Sequence, residues 1–150
     1  MNYVENPEQR GWMISEVAAV PGVRLAIVFS SDGLLLANSE GLDRDSADRL
    51  SATCSGLQSL GRGLGREFGE DGGAVHQQMV EFNGGFLFMR SANGAHLAVV
   101  TGPVVDPKLV ARQMQAQVMK IGARNLSSPP ARLRMSGPGE GSRTAYYART

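Results

Sequence analysis

Cysteine and tryptophan each occur once and histidine twice in these 150 residues. The single thiol, Cys54, excludes an internal disulfide framework and any zinc site with more than one thiolate, and two histidines cannot supply the missing ligands. No metal site is expected. Lysine is almost as scarce, with Lys108 and Lys120 set against 13 arginines, a skew that fits GC-rich coding. Neither lysine stands in the Gly-Lys-Ser/Thr context that a phosphate-binding P-loop needs, so the chain is not itself a P-loop nucleotide hydrolase. No apolar run approaches the roughly 20 residues of a membrane span. The opening Met1-Asn2-Tyr3-Val4-Glu5-Asn6 lacks the basic start and apolar core of a secretory signal, so the expectation is a cytoplasmic protein without direct membrane insertion.

The chain is 42% hydrophobic and 19% charged, the balance of a globular domain with a real core. Asn6-Pro7-Glu8 offers a cap, a proline at the first helical position and an early acid. Met13, Val17 and Val20 then recur at helical spacing until Pro21-Gly22, which predicts one helix over 7–20. Val23–Phe29 and Leu34–Ala37 are apolar runs joined by Ser30-Ser31-Asp32-Gly33, whose Asp-Gly signals a hairpin with both turn residues tolerant of positive φ. Neither run alternates with polar residues, so both faces of this part of the sheet should be covered.

From Leu42 to Gly69 the period becomes helical, with Ala47, Leu50, Cys54, Leu57, Leu64 and Phe68 as the apolar stripe. Acids at its start and Arg62 and Arg66 near its end suit the helix dipole. Gly61, Gly63 and Gly65 each cost about 1 kcal/mol relative to alanine, which predicts fraying or bending of the last turns. Three strands follow at 74–82, 86–90 and 95–101, joined by Asn83-Gly84-Gly85 and Asn93-Gly94. The first, with His76, Gln77 and Gln78, reads as an edge strand and the last as an interior one. Asp106-Pro107 opens a final helix whose face is Val110, Met114, Val118 and Ile121. The Pro-, Gly- and Ser-rich remainder reads as a disordered tail. This divides the chain into a 1–6 extension, a domain over 7–126 and a basic tail over 127–150. Residues 1–126 together carry a net −2 and the tail +3.

Catalytic constellations are missing. Gly61-Arg62-Gly63-Leu64-Gly65 has the wrong spacing for a dinucleotide fingerprint and sits late in a helix. No G-x-S-x-G elbow occurs, His76 and His96 fall on different strands, and Asp43 and Asp45 read as first-turn helix residues. Cys54 reads as a small buried hydrophobe. No cofactor is called for, and no nucleic-acid motif or basic face of the domain appears. On the long helix, Ala52, Gly56, Ser59 and Gly63 form a second face of small side chains that would let another backbone approach closely.

The helix Trp12–Val20, the Pro21-Gly22-Val23 break, the strand closing on Ser30-Ser31-Asp32-Gly33-Leu34 and the long small-residue helix together resemble the Roadblock/dynein light chain family. The likeness extends in element order over residues 7–126, and the chain is most similar to the actinobacterial, conservon-type members. The resemblance implies an α+β, Roadblock/longin-like (profilin-like) sandwich in the order α-β-β-α-β-β-β-α. In it a five-stranded antiparallel sheet has the long middle helix on one face and the terminal helices on the other. It implies a dimer whose paired middle helices and joined edge strands form a platform for a small Ras-like GTPase. The further expectations are a histidine-kinase-like ATPase from the same operon as partner and membrane recruitment through partners. On this chain the dimer contacts would be Ala52, Gly56, Ser59 and Gly63 on the helix and His76, Gln78 and Val80 on the edge strand. Arg62 and Arg66 would be the candidates to touch the GTPase. The competing expectation is a small-molecule sensor or scaffold of profilin-like architecture, which a pocket between sheet and helix would favour.

Overall fold

The computed structural model describes residues 7–127; the Asn6 cap and the tail from Ser128 onward lie outside them. The N-terminal segment is not the single helix that the apolar spacing suggests. It is a 3-10 stretch, Pro7–Met13, interrupted by non-helical dihedrals at Arg10, followed by one turn of α1, Ser15–Ala18. What holds this broken segment is a buried amide on the last helix. Gln117 Oε1 accepts from the Glu16 N–H and its Nε2 donates to the Trp12 carbonyl, both at 2.8 Å, which satisfies main-chain groups that an unbroken helix would pair internally.

The remaining elements are β1 (Val23–Ser30), β2 (Leu35–Asn38), α2 (Arg44–Phe68), β3 (Gln77–Phe82), β4 (Gly85–Ala92), β5 (Ala95–Thr101) and α3 (Pro107–Ser127). The strands form one antiparallel sheet in the order β2-β1-β5-β4-β3. β5 is interior and β3 forms an edge, as their composition indicates, although β3 starts at Gln77 rather than at residue 74. In the β1–β2 turn only Gly33 takes a positive φ, +87°; Asp32 does not.

Alternation along the strands divides the core in two. Ala26, Val28, Ala37, Phe88, Leu97 and Val99 face Met13, Ile14, Val17 and Val20 of the N-terminal segment and Val110, Met114 and Ile121 of α3. On the other face Ile27, Phe29, Leu87, Met89 and Ala98 meet Cys54 of α2, with Leu50 and Leu57 packed beside them. Both faces of the sheet are therefore filled, which explains why β1 runs apolar from Leu25 to Phe29, broken only earlier by the exposed Arg24. Asp106 caps α3 as its Asp-Pro start indicates, accepting from the Lys108 and Leu109 N–H groups, whereas Asp43, expected inside the first turn of α2, is its N-cap and accepts from the Ser46 N–H at 2.9 Å. These contacts with Ser46, main chain first, hold the Asp43 carboxyl below its ordinary range.

The two sheet edges differ. β2 is short, the 3-10 segment packs against it, and Arg10 donates to its Leu36 carbonyl at 3.3 Å. β3 is six residues long, and most of its side chains are exposed.

Candidate functional site

α2 runs unbroken to Phe68 despite its glycines. Two of them are explained by close approach. A Cβ at Gly65 would strike the Gly73 carbonyl, and one at Gly61 would stand 2.6 Å from Gln78 Nε2. This face of α2 presses on the connection to β3, and the Gln78 amide passes under it to donate to the Leu57 carbonyl at 3.2 Å and to Gln58 Oε1 at 3.3 Å. Gln78, a candidate dimer contact, thus also takes part in the contacts between α2 and the edge strand.

That amide pair continues into a chain of polar groups. Gln58 donates to Ser91 Oγ at 3.5 Å, and Ser91 donates to the Val75 carbonyl at 2.9 Å. Since the Ser91 proton is committed, its 3.2 Å contact with His96 Nδ1 requires Nδ1–H as donor, leaving Nε2 to accept from Ser31 Oγ at 3.2 Å. Burial, and then the Arg62 cation, push the His96 pKa below its ordinary value. A neutral, doubly bonded His96 ties the β1–β2 turn to β4. Cys54 is equally enclosed, its thiol pushed up to about 12 by burial, so it packs as a hydrophobe.

Diametrically opposite the buried face, Ala52, Gly56 and Ser59 are exposed. No atom comes within 4 Å of a Cβ built at Gly56, and only Arg66 Nη2, at 4.0 Å, approaches one at Gly63. The protomer's own packing therefore gives no reason for glycine at either position. Beside this strip the apolar stripe departs from expectation: Leu64 and Phe68 are 66% and 77% exposed, and Leu60, which the stripe did not include, is 75% exposed. The cause is length. The helix overhangs the sheet, so its first half covers β1 and β2 while its last turns extend past the core.

Gln78 beneath Leu57 and Gly61 places β3 on the same side of α2 as Leu64 and Phe68, which follow Leu57 by seven and eleven residues. Val80 and Phe82, alternating with Gln78 on that sheet face, are 37% and 42% exposed, and Met79 on the opposite face is exposed too. His76 is exposed and lies just before β3, its carbonyl accepting from the Ser91 N–H. The structure thus brings the small strip of α2, the apolar group Leu60, Leu64 and Phe68, and the outer part of β3 to one side of the molecule. Arg62 is half-buried near His96 and Arg66 is exposed. Leu60, Met79 and Phe82 were legible only as spacing: Leu60-Leu64-Phe68 is a stripe of four-residue steps separate from that of Cys54, and Val80-x-Phe82 repeats at the period of a strand.

Among the described residues no cluster of His, Cys, Asp or Glu could hold a metal ion, and no helix is long and apolar enough to cross a membrane. A cavity of about 820 Å3 lies outside the core between Ile14 and Ala18 on one wall and Val23–Leu25 and Asn38–Gly41 on the other.

Residues 12–101 match the model of the Roadblock/LC7 domain. The chain belongs to that family. A solved Roadblock/LC7 domain from Streptomyces avermitilis is 38% identical, with a TM-score of 0.71 over 77% of this chain and 96% of that one. The fold is also that of Myxococcus xanthus MglB, at 14% identity and a TM-score of 0.67 over 77% and 90% of the two chains. Acanthamoeba castellanii profilin IA shares it at 14% identity and 0.53 over 76% and 96%, so the Roadblock domain here is of profilin-like architecture. None of the curated proteins compared with the chain matches it.

Proposed function

We propose that this Roadblock domain is a non-enzymatic adaptor, one unit over residues 7–126, that pairs with a second copy of itself and binds a small Ras-like GTPase. The observation that carries the pairing is the juxtaposition on α2 and β3. A strip with two glycines that nothing inside the protomer requires runs beside exposed Leu60, Leu64 and Phe68 and next to an open sheet edge. A two-fold axis through this region would cross the two α2 helices at their small strips and set β3 beside its mate, removing both apolar side chains and unpaired strand edges from water.

The GTPase half of the proposal rests on the family resemblance. The paired α2 helices would present Arg66 and the exposed part of Arg62 to the GTPase. The adaptor would shift the GTPase between its nucleotide states by as much as its affinities for the two differ. A trans-acting arginine from this pair would add to hydrolysis. A histidine-kinase-like ATPase and recruitment to a membrane through partners complete the assembly. The sensor reading is less well supported, because apolar side chains fill the core on both sheet faces and the hollow between α1 and β1 opens beside that core rather than within it.

The test is a pull-down of small Ras-like GTPases loaded separately with GDP and with a GTP analogue, followed by hydrolysis assays. Binding that differs between the two loaded forms is expected. Binding to neither removes the proposal.

A further inference from the structure

On the sheet face opposite α2, a groove of about 600 Å3 lies between α3 and the end of the sheet where β4 turns into β5. Val75 and Ala92 form one wall and Val118, Met119, Gly122 and Ala123 the other. Met119 is 65% exposed, so α3 offers apolar surface here that residues 7–127 leave open. The groove lies away from the small strip of α2 and shares only His76 with the candidate pairing residues.

We propose that the groove is the docking site of residues 131–135 of the same chain. Position is the first argument. α3 ends at Ser127, one helical turn or ~6 Å beyond Ala123, so the chain leaves the helix beside the groove. Pro129 and Pro130 cannot continue a helix, and the three residues 128–130 span at most ~10 Å, which brings Ala131 to the groove's end. Pattern is the second argument. Ala131-Arg132-Leu133-Arg134-Met135 alternates at the period of an extended segment, with an apolar side that suits the walls and a cationic side facing out. Charge is the third. Glu70 and Asp71 border the adjoining hollow, which shares Ala74 and His76 with the groove, and they lie within residues 1–126, of net −2, which carry a tail of net +3.

The experiment places a nitroxide on Ser136→Cys in the full chain, since the buried Cys54 thiol, pushed up to about 12, does not compete for the label. Paramagnetic broadening of the Val75, Asn93 and Gly122 amides is expected, with recovery when the label is reduced. It should be lost in Leu133→Asp/Met135→Asp, which alters no residue of the folded body, and in Gly122→Leu, where a Cβ meets only the Asn93 amide at 3.6 Å and the side chain can fill the groove. Mixing isotope-labelled chain without nitroxide and unlabelled chain with it reports docking between copies. Broadening that appears only in that mixture assigns the groove to a second copy's tail and overturns the proposal. So does broadening centred on α2 or β3, or none beyond the background.

Discussion

Two glycines on one helix, nine residues apart, are retained for different reasons, and substitution separates them. Gly65 lies against the Gly73 main chain, which has no flexible end to move aside, so Gly65→Ala should lose about 1–3 kcal/mol in urea unfolding. Gly56 faces open space, so Gly56→Ala should leave the protomer unharmed or stabilise it by up to about 1 kcal/mol. Gln117 is buried with both ends of its amide used. Gln117→Leu strands the Trp12 carbonyl and Glu16 N–H and should cost ~2 kcal/mol, with amide exchange rising first in residues 12–18. His96 gives a pH signature. Its folded pKa is below 6.5, so the unfolded chain takes up the proton first as the pH falls. Its contribution is full above about 6.5, declines from there to the folded pKa, and is then spent. His96→Gln should flatten the pH slope of stability in that window, and an unchanged slope would assign the titration to another group. Of these roles only the place of Gly56 on a separate face of small side chains was legible in the sequence: Gln117 falls among the apolar residues of α3, three after Met114 and four before Ile121, and only the kink at Arg10 creates the groups it bonds.

At the scale of elements, α2 was legible in length because the acids at its start, the stripe through Cys54 and the terminal arginines all follow from helix physics, although Asp43 is its cap rather than a first-turn residue. What periodicity could not tell is which apolar residues meet the chain's own sheet. Leu57 and Leu64 look alike in sequence; one reaches the core and the other overhangs it. Leu64→Asp and Phe68→Ser should therefore leave the unfolding free energy of the separated protomer within about 0.5 kcal/mol, as expected for exposed sites, while weakening self-association measured by sedimentation. A large loss of protomer stability would mean that these side chains pack internally. The first helix failed as an expectation for a related reason, since Met13, Val17 and Val20 mark buried positions correctly but cannot report a break between them that a distant amide repairs.

For the whole molecule, the hairpins, the edge place of β3, the two-faced core and the profilin-like architecture follow from the run of turns, the apolar stretch of β1 and the element order that the Roadblock resemblance supplied, while the pairing of β1 with β5 came from the structure. The side of the molecule left open, where α2 overhangs and β3 ends the sheet, required coordinates. We read that side as a seam between two copies on which a GTPase would sit, and the solution mass tests this most directly. Light scattering on the full chain should give twice its 16.0 kDa, falling to the mass of one chain in Gly56→Leu and in Gly63→Leu while their far-ultraviolet spectra stay native. A single-chain mass for the unmodified protein, or a two-chain mass that survives both substitutions, would contradict it.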